Sequence, residues 1–361
     1  MSDAQPFSAP YIHAPTSVTR TMSLVMIALV PATLFGLYQY GWPAIFLFII
    51  TLTTAVVAEG ISLRIAGKPI RPFLFDGSAL LTGWLLALTL PPWAPWWIAV
   101  VGALLAIIVG KQIFGGLGQN LFNPAMVARV ALLISFPLEM TLFTSPLPLG
   151  SASAPGMIEG LLITLGLGTT PDAITSATIL GHFQTELGRG VSVDQIATTT
   201  DSIWQLSWGS ISGSMGETSA LLLLAGGLFL LWQRIITWHI PLAMLSTLFL
   251  SAALFHWLDP THYISPLTHL LSGAAILGAF FIATDLVTSP VSIRGQIVFG
   301  IGCGLLTFII RTWASYPEGV AFAVMLMNSL TPLLDHYLKP RVYGRDRKGV
   351  PIQYGEQEEN R

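Results

Sequence analysis

Long apolar runs dominate the chain, and short polar connections separate them, except for one long polar stretch in the middle. Ten runs approach the length of about 20 residues that an α-helix needs to cross the hydrocarbon core of a membrane. They extend over residues 22–38, 42–63, 78–90, 93–109, 125–143, 219–236, 241–258, 267–283, 297–314 and 319–338. The third run is short and ends at Pro91-Pro92, which indicates an interrupted helix that lines a site inside the protein. The pattern predicts an all-α polytopic membrane protein with about ten transmembrane helices.

The central polar stretch divides the predicted spans into two groups of five. An odd number of crossings in each half turns the second half upside down relative to the first, as in transporters with inverted repeats. Leu80-Leu81-Thr82-Gly83 is echoed by Leu270-Leu271-Ser272-Gly273, which supports such a repeat. We therefore expect two inverted five-helix repeats. The predicted segments are an N-terminal segment 1–20, a first membrane half 21–143, a loop 144–217, a second half 218–338 and a tail 339–361.

Composition and charge agree with a membrane location. The chain is 53% hydrophobic and 9% charged, with a mean hydropathy of +0.70, whereas soluble domains carry roughly 25% charged residues. With the N-terminus in the cytoplasm, fourteen of the sixteen Lys and Arg residues lie at cytoplasmic ends or loops, all but Arg189 and Arg311. This asymmetry predicts that both termini are cytoplasmic and that the 144–217 loop faces the periplasm or exterior.

The residue types present exclude several kinds of chemistry. A single cysteine, Cys303, excludes an intrachain disulfide and a self-contained iron–sulfur cluster, which needs several thiolates. The seven histidines show no spacing typical of metal ligands, and no strand–GxGxxG–helix unit indicates a nicotinamide site. We expect no metal and no nucleic-acid partner.

Ionisable residues in or beside membrane spans are candidates for function because their burial is costly. They are Glu59, Asp76, Lys111, Arg129, Asp285, Arg311 and Asp335. Asp76 and Asp285 adjoin glycine-containing helices and are the preferred candidates for ion coupling. A glycine-rich turn, residues 115–118, leads to Asn123 and Pro124, which suit the cap and the first position of a helix. The N-terminus of that helix favours an anionic or electron-rich group.

The segment Asp172-Ala173-Ile174-Thr175-Ser176-Ala177-Thr178 lies in the long loop and offers hydroxyl groups among small residues. An enzyme that esterifies a hydroxyl needs such an uncrowded acceptor, which we expect at the protein surface. The segment resembles the Asp-x-x-(Ser/Thr)-(Gly/Ala/Ser)-Ala-Thr signal at which a flavin transferase attaches FMN through a phosphoester bond. The match assigns the acceptor to Thr178 and the rest of the motif to Asp172, Thr175, Ser176 and Ala177. Ala173 departs from the glycine that is common after the aspartate.

Three further stretches carry the same family resemblance, namely residues 76–83 with 89–92, residues 115–125 and residues 283–290. Together with the loop motif they resemble the membrane subunits shared by Rnf electron-transport complexes and sodium-pumping NADH:quinone reductases. The resemblance extends from about Phe73 to Gly344. The Thr175-Ser176 pair and the short N-terminal region are closer to the D subunits of Rnf complexes than to the B subunits of the quinone reductases.

The resemblance implies an electron carrier that is not catalytic alone. It implies covalent FMN on Thr178 and a second, noncovalent flavin, riboflavin in relatives, for which Asn123 and Pro124 are candidate contacts. It also implies exchange of electrons between ferredoxin and NAD, coupled to Na⁺ or H⁺ movement. Location in the inner membrane, with the 144–217 loop in the periplasm, is likewise implied by the family resemblance. The implied partners are a periplasmic FMN-bearing subunit, a cytoplasmic NADH-site subunit, other membrane subunits, membrane lipid and, during maturation, the flavin transferase.

Two alternatives remain open from the sequence. One is a B-type subunit of a quinone reductase, which differs in reducing quinone. The other is a small-solute channel or transporter with an inverted-repeat fold, which explains the spans and the glycine-rich half-helices but not the acceptor motif.

Overall fold

The computed structural model describes residues 17–168, 175–176, 178–193, 195–196, 203–209, 211–314, 316, 318–339 and 344. Regular structure in these parts of the chain is almost entirely helical. The first half contains α1 (Val18–Ile65), α2 (Ile70–Leu74), α3 (Ser78–Thr89), α4 (Trp96–Leu104, which continues as π-helical turns to Gln112), α5 (Pro124–Ser135) and α6 (Pro137–Thr141).

The long loop and the second half continue the helical order. The loop contains α7 (Met157–Thr164), α8 (Ile179–Gly188), α9 (Ile203–Trp208) and a 3₁₀ turn (Met215–Glu217). A two-residue strand β1 (Phe143–Thr144) pairs antiparallel with β2 (Thr175–Ser176). The second half contains α10 (Ala220–Trp232), α11 (His239–Leu258), α12 (Pro266–Leu271), α13 (Ala275–Leu277, which continues as a π-helical turn to Ile282), α14 (Ile293–Trp313) and α15 (Val320–Tyr337).

Four helical stretches of the described chain are long and apolar enough to cross a membrane. They are Val18–Ile65, Ile70–Thr89, His239–Leu258 and Ile293–Trp313, and three shorter apolar helices, Trp96–Gln112, Pro124–Ser135 and Ala220–Trp232, accompany them. The chain therefore has the helices of a multi-pass membrane protein. The count of ten spans and the inverted repeat stay predictions, because several predicted runs form helices of 12 or 13 residues.

Gly41 divides α1 into two segments. A straight helix of 48 residues would be about 72 Å long, more than twice the hydrocarbon thickness of about 30 Å. Gly41 has φ 70° and ψ −155°, a conformation that suits only glycine. The Tyr38 carbonyl accepts a hydrogen bond from the Leu149 N–H (2.8 Å), and the Tyr40 carbonyl accepts one from Trp93 Nε1 (3.0 Å). The predicted division between the first two runs is thus confirmed.

Two more glycines with positive φ mark the start or the interruption of a helix, one in each half. Gly77 (φ 83°) precedes α3, and Gly273 (φ 66°) separates α12 from α13. The predicted third run therefore forms one continuous helix that begins after Gly77, whereas the predicted eighth run is interrupted at Gly273. The backbone at the Gly273 interruption is buried in the bundle, where water is not at hand to satisfy its polar groups.

Small residues allow the helices to approach one another closely. A Cβ atom at Gly226 would collide with the backbone of Ala28 in α1. Gly300 and Gly304 in α14 would likewise collide with α11, at Ile240 and Met244. Membrane helices associate through such close packing because lipid offers little hydrophobic driving force between them.

The long loop packs on the bundle and has a small core of its own. A Cβ atom at Gly160 of α7 would collide with Trp42, so α7 lies directly against the start of the second segment of α1. Helix α7, which has eight residues, therefore packs on the bundle. The core beneath the rest of the loop consists of Ile179, Phe183, Val193, Ile196, Leu206 and Ile211.

Gly41→Ala is expected to lower the free energy of unfolding by about 1–3 kcal/mol, because a Cβ atom is strained in this backbone conformation. The matched control is Gly60→Ala in the same helix, where a Cβ atom meets nothing within 4 Å. That change should be neutral or stabilise by up to about 1 kcal/mol, because alanine favours helices over glycine. Thermal unfolding in detergent measures both, and equal effects at the two glycines would contradict a special conformation at Gly41.

Candidate functional site

Two cavities lie at opposite ends of the first segment of α1. One contains Thr21, near the start of this segment. The other contains Ile211, whose carbonyl accepts a hydrogen bond from the hydroxyl of Tyr40 (3.0 Å), near its end. A helix from residue 18 to residue 40 is about 34 Å long, so the cavities are separated by roughly the thickness of a membrane core.

We name each cavity after one residue that lines it. The Thr178 cavity is lined by Thr178, Ile179, Ile211, Glu217, Gly273 and Glu318. The Asn123 cavity is lined by, among others, Ser78, Lys111, Asn120, Asn123, Phe281 and Asp285.

Thr178 is the N-cap residue of α8. Its Oγ1 accepts a hydrogen bond from the Gly181 N–H (3.1 Å), and its backbone is extended. The hydroxyl therefore lies where the free N–H groups and the dipole of a ten-residue helix favour a negative charge. The expectation of an exposed acceptor was wrong, since Thr178 is only 6% exposed. Ile179 and Phe183 of α8 pack in the loop core, and this packing buries the start of the helix together with Thr178.

The structure describes only part of the remaining motif. Asp172 and Ala177 lie outside the described residues. The backbones of Thr175 and Ser176 form β2, with Thr144 and Phe143 as their partners. This pairing connects the motif to the chain segment that follows α6.

A pair of carboxyl groups shares the Thr178 cavity. Glu217 ends the 3₁₀ turn and accepts a hydrogen bond from the Ser214 hydroxyl (2.7 Å). Glu318 precedes α15 and forms an ion pair with Arg129 of α5 (3.1 Å). The Glu217 and Glu318 carboxyl groups lie close enough to shift each other's pKa, and a hydrogen bond between them needs a proton on one of the two. The side chains of Glu318 and Arg129 are 13% and 5% exposed, so the ion pair is largely buried.

The pKa values of the two carboxyl groups are shifted in opposite directions from their usual range. Burial, with the neighbouring Glu318 charge, holds the pKa of Glu217 well above its usual range. Burial also acts to raise the pKa of Glu318, but the hydrogen bond from Glu217 and the charge of Arg129 outweigh it and lower that pKa. Of the pair, Glu217 therefore holds its proton to higher pH, and Glu318 ionises first.

Arg311 of α14 donates hydrogen bonds to backbone carbonyls at the interruption between α12 and α13. Its Nη1 donates to the His269 carbonyl (2.6 Å), and its Nη2 donates to the Ser272 carbonyl (3.2 Å). Gly273 leaves room for the guanidinium, because a Cβ atom there would lie 2.8 Å from Nη2. A buried positive charge therefore borders the Thr178 cavity.

Lys111 is the buried cation beside the Asn123 cavity, and it binds side chains rather than backbone carbonyls. Its Nζ forms an ion pair with Glu59 (2.8 Å) and donates to the Ser78 hydroxyl (2.8 Å). Asp76 in turn accepts hydrogen bonds from the N–H and hydroxyl groups of Ser78. Lys111 and Glu59 are each 2% exposed or less, so this network lies within the bundle.

Asn123 and Pro124 begin α5 as predicted. Asn123 Oδ1 accepts from the Ala125 and Met126 N–H groups (3.1 and 3.4 Å), and Pro124 occupies the first turn. Asn120 lines the same cavity, and its buried Oδ1 atom has no hydrogen-bond partner among the described residues. A ligand with an N–H group would satisfy this atom.

The structure brings some of the sequence-predicted residues together and separates others. Asn123, Pro124 and Asp285 line one cavity, and Asp76 contacts the Ser78 that lines it. Thr178 lines the other cavity. Asp285 bonds within its own turn, to the Val287 N–H (3.4 Å) and the Thr288 hydroxyl (3.1 Å).

Sequence reasoning missed the Glu217–Glu318 pair and misplaced Arg129. From the sequence, Glu217 is expected to be one of several solvated acidic residues of the loop. It lies, however, among small residues directly before an apolar run, and this setting indicates burial. Arg129 was expected at a cytoplasmic end. It lies in the middle of α5, is 4% exposed and forms its ion pair with Glu318, which lines the Thr178 cavity.

Comparisons with known proteins agree with this architecture. The model of the NQR2, RnfD, RnfE family matches residues 6–344. A relative from Stutzerimonas stutzeri, named as the D subunit of an ion-translocating oxidoreductase complex, is 56% identical over 93% of this chain and 95% of its own length. Proteins of the same name from Halorhodospira halophila and Rhodobacter capsulatus are 51% and 50% identical. They cover 96% and 84% of this chain, and 97% and 85% of their own lengths.

Glu318→Gln is expected to destabilise the protein by about 3–5 kcal/mol, because it leaves the Arg129 charge buried without its partner. Glu217→Gln should cost less than about 1.5 kcal/mol, since the glutamine replaces a neutral carboxyl group of similar shape and can donate to Glu318. Thermal unfolding in detergent at neutral pH compares the two. A larger loss for Glu217→Gln would reverse the assignment of the proton.

The pH dependence of stability should also identify Glu217. Its pKa is raised in the folded state, so its contribution is complete below the unfolded pKa of about 4.3. The contribution is lost as pH rises through the folded pKa. From about pH 5 upward, the wild-type unfolding temperature should therefore fall relative to that of Glu217→Gln. Glu186→Gln, which affects an exposed ion pair with Arg189, is the control and should run parallel to the wild type.

Proposed function

Because the chain belongs to the NQR2, RnfD, RnfE family, we propose that it is an electron-carrying membrane subunit of an Rnf-type ion-translocating oxidoreductase complex. Its relatives are named as the D subunit of an ion-translocating oxidoreductase complex. This name favours the proposed function over the quinone-reductase and solute-channel alternatives. The structural observation that carries the proposal is the position of Thr178 at the N-terminus of α8.

We propose that FMN is attached through a phosphoester to Thr178. A phosphate on this hydroxyl would lie at the N-terminal end of α8, where helix N–H groups favour an anion. The positive charge of Arg311 near Gly273 supports the same assignment. Since Thr178 is buried, attachment requires that α8 move away from the bundle or that the flavin be added before the loop folds.

We also propose a second, noncovalent flavin in the Asn123 cavity. Phe280, Phe281 and Leu85 provide apolar walls, and Asn120 Oδ1 provides an acceptor without a partner among the described residues. A riboflavin-like ring has an N–H donor and an apolar face, so it fits a mostly apolar pocket with a few fixed polar groups. Asn123 and Pro124 would contact it from the start of α5.

The two flavin sites would lie near opposite membrane surfaces, as a relay across the membrane requires. A bound flavin passes one or two electrons, and the protein fixes its position and surroundings. Asp285, on the Asn123 cavity, and Asp76, behind Ser78, are the proposed carboxylates for coupling to Na⁺ or H⁺. The buried cations Lys111 and Arg311, one in each half beside the start or the interruption of a helix, support an inverted repeat.

The proposed orientation follows from the distribution of Lys and Arg. It places the Asn123 cavity near the cytoplasm and the Thr178 cavity near the periplasm of the inner membrane. A periplasmic FMN-bearing subunit would then meet the 144–217 loop, and a cytoplasmic NADH-site subunit would lie on the other side. Ferredoxin and NAD would be the electron partners of the whole complex.

Thr178→Asn is expected to abolish covalent flavin without unfolding α8, because asparagine caps helices as well as threonine does but has no hydroxyl. The protein is coexpressed with a flavin transferase, and its intact mass and in-gel fluorescence after denaturation are measured. Thr185→Val, which changes an exposed threonine of α8 outside the motif, is the matched control and should keep the FMN-sized mass. Covalent flavin on Thr178→Asn, or its loss from Thr185→Val alone, would move the acceptor to another residue.

Asn120→Leu is expected to lower the amount of noncovalent flavin that copurifies with the protein at least tenfold, since a lost hydrogen bond to a buried partner is worth about 1.5 kcal/mol or more. Flavin released by denaturation is separated from the chain and quantified. Asn328→Leu, which removes a buried amide that does not line this cavity, is the control. Equal retention in Asn120→Leu and the wild type would place the second flavin elsewhere.

A further inference from the structure

The Thr178 cavity is too small for a flavin ring. Its volume is about 10 Å³, roughly the space of one water molecule. A flavin attached at Thr178 therefore needs a separate place for its three fused rings. A second space lies next to this cavity. We call it the Arg311 cleft, a cleft of about 320 Å³ lined by, among others, Gln184, Gly188, Tyr263, His269, Arg311 and Trp313.

Two residues that line the Arg311 cleft each have a buried polar atom without a partner within the described part of the protein. The atoms are His269 Nδ1 and Arg311 Nε, and the two residues are 3% and 4% exposed. The Nη1 and Nη2 atoms of Arg311 already donate to the His269 and Ser272 carbonyls. An unsatisfied buried donor costs about 1–3 kcal/mol, so the cleft favours a ligand with acceptor atoms at this wall.

The Arg311 cleft is within reach of a group on Thr178. Arg311 separates the two spaces, because its guanidinium lies against Gly273, which lines the Thr178 cavity. Helix α8 begins after Thr178 and contributes Gln184 to the cleft, a rise of about 9 Å over six residues. Eight bonds lead from the threonine oxygen through the phosphate and ribityl chain to the ring. They correspond to nearly three extended residues, about 9 Å.

We propose that the isoalloxazine ring of the FMN on Thr178 lies in the Arg311 cleft, with Arg311 Nε and His269 Nδ1 facing its pyrimidine edge. This placement rests on the proposed attachment. Arg311 Nε donates to a ring carbonyl oxygen or nitrogen at that edge. Tyr263 and Trp313 supply aromatic surface for the ring. The fixed guanidinium charge favours the reduced flavin, in which negative charge collects at the pyrimidine edge.

Native fluorescence of the covalent flavin tests the placement, because tryptophan and tyrosine in contact with a flavin quench its emission. The wild-type protein, with its flavin confirmed by intact mass, is compared with Trp313→Leu, and the emission of the variant should rise several-fold. Trp204→Leu is the matched control. Trp204 lies on the same loop as Thr178, is exposed and does not line the cleft. The flavin emission of Trp204→Leu should therefore equal that of the wild type.

A second variant tests the placement without removing Trp313, whose loss could raise the flavin emission indirectly. Gly188 lines the cleft, and a Cβ atom there meets nothing within 4 Å, so Gly188→Phe fills the cleft without a clash at the backbone. The displaced ring should become several-fold more sensitive to quenching by iodide, with the same covalent mass. Covalent flavin whose emission and iodide sensitivity match the wild type in both variants would overturn the placement. A wild-type chain without covalent flavin would instead overturn the attachment to Thr178.

Discussion

In each half of this bundle a buried cation lies beside the start or the interruption of a helix and binds polar groups that hydrocarbon cannot solvate. Hydrocarbon cannot solvate free backbone groups, and each one left unsatisfied costs several kcal/mol. Arg311 satisfies two carbonyls at the break after α12. Lys111 binds Ser78 at the start of α3 and neutralises Glu59. Without these two side chains, the His269 and Ser272 carbonyls and the Glu59 carboxylate would lose these partners.

Helix ends inside the bundle also explain why polar and charged groups line the cavities. Helices that end inside the bundle leave space, helix termini and charges at defined depths, which continuous apolar helices do not. Beside Thr178 the result is a helix N-terminus, a positive charge and a pair of carboxyl groups. Beside Asn123 it is an amide oxygen without a partner among the described residues and a buried lysine. The first setting suits the phosphate of the proposed covalent flavin and the second suits a polar ring, and this is the physical basis of the proposed relay.

Local chemistry predicted the start of α5 and the division of α1 well. Asn123 caps its helix, and Pro124 has no N–H to leave unsatisfied, so neighbouring residues alone decide that structure. The burial of Thr178 and Glu217 was not predictable in this way, because each is polar and lies in a segment that reads as loop. Helix α8, which Thr178 caps, is held to α14 by the Gln184 amide, which donates to carbonyls 127 and 130 residues further along the chain.

The sequence by itself determined the membrane character, the approximate spans and the family, because hydropathy, glycine positions and short motifs are properties of contiguous residues. It also identified Thr178, Asn123, Pro124, Asp76 and Asp285 as candidates one by one. Only the tertiary structure decided which of them share a cavity, and that Arg129 lies beside Glu318. The reason is that a buried charge needs a partner in space, and here the partner is 189 residues away in the chain.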